Sequence, residues 1–165
     1  MNLLLRILGH KSLTASWIAD PAMPIQVDLN SGQFCGVALG APIEALSRLG
    51  PSSNTRVRGR DDVLVYLKHG FQLFLDKARR LETVDINVLA AEDMAAFVGQ
   101  WYHQGQIVTV DAASTLEHIQ SFMGAPDDTD DNSILYAHPG YAIWFEWGEE
   151  GHLENVTLST MDTPS

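Results

Sequence analysis

The chain has 165 residues, 45% of them hydrophobic and 19% charged, with ten Lys and Arg against twenty-one Asp and Glu, a net charge of −11 and a pI near 4.7. That balance argues against a nucleic-acid or anionic-membrane binder, because phosphate surfaces attract proteins through Lys and Arg. The length sets an expectation of one compact protein, since domains commonly run about 100–150 residues, and no stretch reaches the roughly 20 apolar residues of a spanning helix. The charges are unevenly placed: residues 1–80 hold all ten bases and six acids, whereas residues 81–165 hold fifteen acids and no Lys or Arg.

Residues 1–33 read as an N-terminal segment. Its opening apolar run is interrupted by Arg6 and has no small-residue cleavage site close behind, so it is not read as a signal peptide. The single Cys35 cannot form an internal disulfide and favours a reducing, cytoplasmic setting. A short strand is expected at 34–39 and a helix at about 42–49, where Ile43, Leu46 and Leu49 share one face before Gly50-Pro51 ends it. A polar loop with Arg56, Arg58 and Arg60 leads to strands at 62–68, 71–76 and 81–87, the first two joined by the hairpin dipeptide His69-Gly70. Residues 87–100, rich in Ala and Leu, are expected to form a connecting helix within a linker spanning 88–104. A second strand and helix follow at 106–110 and 113–123, with Leu116, Ile119 and Phe122 on one face and Gly124 and Pro126 as the stop. After an acidic loop at 127–132 come strands at 133–138, 141–147 and 152–159.

The two halves match each other. At an offset of 70, Tyr66 meets Tyr136, Gly70 meets Gly140, Phe74 meets Trp144 and Asp76 meets Glu146; residues 81–86 and 43–51 find counterparts at 153–158 and 116–126. The expectation is therefore an α+β protein built from an internally duplicated unit, a helix followed by an antiparallel three- to four-stranded meander, with two copies (34–87 and 105–160) packed as one compact protein and a tail at 161–165. The residues Leu39-Gly40-Ala41-Pro42, Leu49-Gly50-Pro51 and Tyr66–Asp76, with Met123-Gly124-Ala125-Pro126 and Tyr136–Glu146, resemble the helix-plus-meander repeat of the secreted β-lactamase inhibitor proteins and of the small lipoproteins of outer-membrane assembly. The resemblance implies that fold, with a role in binding or assembling other proteins.

Strand alternation puts Phe71, Leu73 and Leu75, with Tyr141, Ile143 and Phe145, on a core face. The opposite face carries Phe74, Trp144 and Glu146, with Trp147 close behind, and large rings among polar neighbours are interface candidates. The alternative is that the half-sheets or the linker cover these rings. Asp127, Asp128, Asp130 and Asp131 form an acidic run that lacks the central Gly and distant Glu of a calcium loop, and reads as a solvated partner-binding surface. In an extended segment Arg56, Arg58 and Arg60 would share a side, as an anion clamp or as a solvated loop partnered by Asp61 and Asp62. The six histidines are scattered, no metal-ligand spacing occurs, and Cys35 lacks an activating context. No enzyme motif, metal site or cofactor is expected. The expected function is a non-catalytic protein-binding module, inhibitor- or immunity-like, that engages a basic partner through the acidic second half and the aromatic sheet face, with no nucleic acid or membrane. Its alternatives are an assembly module, in which the basic loop of one chain meets the acidic surface of a second to form a homodimer, and a small-ligand-binding protein or enzyme.

Overall fold

The computed structural model describes residues 13–55 and 63–161, and among them thirteen strands lie in two sheets. The smaller sheet contains β1 (Gln26–Asp28), β2 (Gln33–Phe34), β3 (Val37–Ala38), β8 (Gln100–His103) and β9 (Gln106–Val108), in the order β3-β2-β1-β8-β9. The larger contains β4 (Asn54–Thr55), β5 (Val63–Tyr66), β6 (Phe71–Leu75), β7 (Leu81–Asn87), β10 (Asp128–Asp130), β11 (Ser133–His138), β12 (Tyr141–Trp147) and β13 (Leu153–Thr160). Its order is β10-β11-β12-β13-β7-β6-β5-β4, and every pairing is antiparallel. The parallel pair β1–β8 is the exception, in the smaller sheet.

The period-2 patterning explains why the larger sheet holds. Its register lines up two rows of side chains: Ile134, Phe145, Val156, Ile86, Phe71 and Tyr66, then Tyr136, Ile143, Leu158, Val84, Leu73 and Leu64. All twelve are buried. Each aliphatic or Phe member contributes about 1.5–3 kcal/mol of hydrophobic stabilisation. Against this face pack the 3-10 helix Ile43–Leu49 through Ile43 and Leu46, the helix α1 (Leu116–Met123) through Ile119, and the smaller sheet through Val27, Phe34 and Trp101. Phe34 meets Phe71 edge-on at 4.8 Å.

The α+β duplicated-unit expectation is thereby corrected. Among the described residues strand accounts for 41% and helix for 11%, in two short helices, and the three-stranded meanders of both supposed copies belong to one continuous sheet backed by a second. The expected connecting helix is also absent, for a tertiary reason. Residues 88–99 run as a turn and extended chain: Ala91 and Met94 pair with each other, the Ala95 N–H donates to the Leu67 carbonyl, and the Phe97 N–H donates to the Asn87 carbonyl. Phe97 packs on Trp101 at 5.3 Å and on Phe71 at 6.4 Å. These contacts outweigh a helix propensity of a few tenths of a kcal/mol per residue. The segment lies so close to Gly70 that a Cβ there would stand 2.4 Å from the Ala95 carbonyl oxygen. The expected strand at 34–39 is two short ones, β2 and β3, broken at Cys35-Gly36. Residues 26–28 and 100–103, read from sequence as N-terminal segment and linker, are the paired strands β1 and β8.

Candidate functional site

The outer face of the larger sheet is built from the residues that alternate with the core. One row runs Leu135, Trp144, Thr157, Asp85, Gln72 and Val65. Trp144 and Phe74 both emerge on this face, half-buried, with β13 and β7 between them. The strip separating the two rings is polar and internally bonded. Asp85 accepts from Asn155 Nδ2 and from the Thr157 hydroxyl, and the Thr83 and Ser159 hydroxyls meet at 2.8 Å.

Glu146 extends this face toward the sheet corner, where the chain changes course. A bulge between Glu146 and Trp147 places Trp147 opposite the buried Leu153, on the core side, and the indole N–H donates to the Ser114 carbonyl at 2.8 Å. Trp147 therefore lies on the core side, where alternation from Ile143 and Phe145 also puts it, and not on the face of Trp144. It forms a wall of an open cleft of about 510 Å³, into which Asp130, Asp131, Glu146 and Glu154 bring four carboxylates. The Trp147 backbone N–H donates to the Asn132 carbonyl at 2.8 Å, which fixes the β10–β11 turn against the end of β12. A second hollow of about 210 Å³ shares Trp147 and that turn and reaches Thr115 and Leu116 at the start of α1. Thr115 caps that helix by accepting from the His118 N–H.

Of the residues expected to bind a partner, Asp130, Asp131, Glu146 and Trp147 come together in this cleft. Trp144 stands two residues from Glu146 on the outer face, and Phe74 lies apart, three strands away. Asp128 and Asp130 also serve the local backbone, since their carboxylates accept from the N–H groups of Thr129 and Asp131 at 2.9 and 3.0 Å. Asp127 accepts from the Ala137 N–H at 2.8 Å. Charged side chains on the exposed edge strand β10 discourage the pairing of an added strand. Arg56, Arg58 and Arg60 lie outside the described residues. Glu154 and Asn155 are cleft residues that sequence reasoning missed. Their signal was the pairing of β12 with β13, readable from the hairpin at Gly148–Gly151, which sets this stretch of β13 beside Trp147.

Other groups with possible chemistry are packed or bonded within the fold. No group of three His, Cys, Asp or Glu among the described residues is placed to hold a metal ion. Burial pushes the Cys35 thiol up to about 11, so it is not a nucleophile at neutral pH. Tyr66 and Tyr136, both buried, donate to the carbonyls of Gly50 and Gly124 at 2.9 Å. Loss of solvent pushes the Tyr136 hydroxyl up to about 12, helped by Asp127, and raises that of Tyr66 further.

No protein-family model matches the chain, and no curated protein matches it. Among solved structures, the crystal structure of a DUF4309 family protein (YjgB) from Bacillus subtilis is similar at 15% identity with a TM-score of 0.48, covering 72% of this chain and 76% of that one. No helix among the described residues is long and apolar enough to cross a membrane.

Proposed function

We propose that the protein is a non-catalytic binding module that engages a basic protein partner through the acidic cleft and the adjoining strip of outer face around Trp144. The observation that carries this reading is the cleft itself, lined by Asp130, Asp131, Glu146 and Glu154 together with Trp147 in a half of the chain that holds no Lys or Arg. A Lys or Arg side chain entering the cleft gains Coulombic attraction from several carboxylates at once. The uniform sign of the surrounding surface would speed encounter and reject acidic partners.

An arginine-rich peptide of about a dozen residues serves as the probe, titrated calorimetrically against the full chain. The triple variant Asp130→Asn, Asp131→Asn, Glu146→Gln is expected to weaken binding at least tenfold. A charge-matched control, Glu82→Gln, Glu92→Gln, Asp93→Asn, is expected to weaken it by less than threefold. Equal losses in the two variants would reduce the effect to diffuse net charge and overturn the assignment of the cleft.

A further inference from the structure

Among the described residues, one buried side-chain polar atom has no hydrogen-bond partner, and it lies near the contact between the two sheets. His138, at the end of β11, directs its core-side ring against Tyr141 at the start of β12, the two rings lying parallel at 4.6 Å with 9° between their planes. The Tyr141 ring also lies against Gly32, where a Cβ would come within 2.7 Å of it and where φ is +63°. The Tyr141 hydroxyl donates to the carbonyls of Leu29 and Asn30, at 3.2 and 2.6 Å, in the turn between β1 and β2. Tyr141, stacked on His138 and bonded to the Leu29–Asn30 turn, thus ties the larger sheet to the smaller. At this junction, His138 Nε2 is buried and makes no hydrogen bond among the described residues.

We propose that His138 and Tyr141 form a proton-sensitive clasp between the two sheets, in which protonation of the His138 imidazole loosens the hold of Tyr141 on the Leu29–Asn30 turn. A neutral imidazole tolerates a buried, unbonded Nε2 as an acceptor. An imidazolium places an N–H donor and a charge at that atom with no acceptor to meet it, a far costlier arrangement. The groups facing the ring decide whether its surroundings relieve that cost. Asp127, ahead of β10, favours the charged form; His103, on β8 of the smaller sheet, opposes it and adds repulsion from across the junction when itself protonated. Tyr141 stays neutral, its hydroxyl pushed up to about 12 by burial and by Asp28. Burial outweighs Asp127 and holds His138 below its ordinary value of 6.5. A depressed imidazole means that the clasped state binds fewer protons than the open one. The clasp is therefore at full strength above the ordinary imidazole range and weakens as pH falls through it.

Hydrogen exchange on the full chain at pH 7.5 and 5.5, corrected for intrinsic rates, reads the clasp directly. Protection of the amides of residues 29–34, 138, 140 and 141 is expected to fall at least threefold at the lower pH, while β7 and β13 keep theirs. His138→Phe retains a ring on Tyr141 and is expected to abolish that difference. Equal protection at both pH values in the unsubstituted chain, or a loss in His138→Phe as large as in the parent, would overturn the clasp. Should the Phe variant not fold, the His138 titration followed by NMR in the parent decides: a midpoint below 6.5 with coupled shifts at Leu29 and Asn30 supports it, and a midpoint at or above 6.5 contradicts it.

Discussion

Strands β4–β7 and β10–β13 form the two halves of the larger sheet, meeting at the β7–β13 pairing, and they differ in dressing far more than in backing. In each half a buried Tyr reaches a glycine carbonyl at 2.9 Å, and a tight turn with a glycine at positive φ joins the next two strands. Outside the core the halves diverge. The β5–β6 turn is clasped by residues 95–97, whereas a Cβ on the glycine of the β11–β12 turn would touch nothing within 4 Å. The second half ends in an edge strand of aspartates and an acidic cleft. Apolar rows set the sheet, and the residues alternating with them remain free to specialise.

The comparison breaks first at the core. Phe71→Ala and Phe145→Ala, fully buried in opposite halves, should each cost about 3–5 kcal/mol, with one cooperative urea transition in both cases. Two separated transitions would show that the halves unfold independently. The turns should separate next. Gly70→Ala meets the Ala95 carbonyl at 2.4 Å in addition to its φ of +73°, whereas Gly140→Ala carries only its φ of +86°. Chemical unfolding should show about 2–4 kcal/mol lost at Gly70 and about 1 kcal/mol at Gly140. The tyrosines come third. Tyr66→Phe leaves the carbonyl of a buried Gly50 without its donor and should cost about 1–3 kcal/mol, while Gly124 is exposed and water can replace the Tyr136 hydroxyl, for about 0.5–1.5 kcal/mol. The smallest effect is at the edge. Asp128→Thr with Asp130→Thr uncovers the N–H groups of Thr129 and Asp131 and should leave unfolding within about 0.5 kcal/mol of the parent, yet produce concentration-dependent association in light scattering.

What was legible in the sequence followed physical range. The hairpin strands 133–138 and 141–147 emerge with the expected bounds, because strict alternation and Pro139-Gly140 are local signals. Both short helices also lie within their expected spans, although the first is a 3-10 helix. The fold class was misread because what joins the strands is non-local: the β7–β13 pairing that merges the halves, and strands β1 and β8 of three and four residues, too short to show a period. Residues 88–99 have helical composition, and their extended course is dictated by Gly70, Leu67 and Trp101. The acid cluster was visible as composition. That Glu154 joins it depended on a bulge in β13, which leaves no signature in one sequence.

The central claim, that the acidic cleft is the partner-binding surface, is tested most directly by mapping amide shifts of the labelled full chain on titration with the arginine-rich peptide at low salt. The account predicts the largest changes at Asp130–Ser133, Trp144–Trp147 and Glu154–Asn155, saturating together and reversed by salt. Changes spread evenly over the acidic surface, or centred away from the cleft, would contradict it.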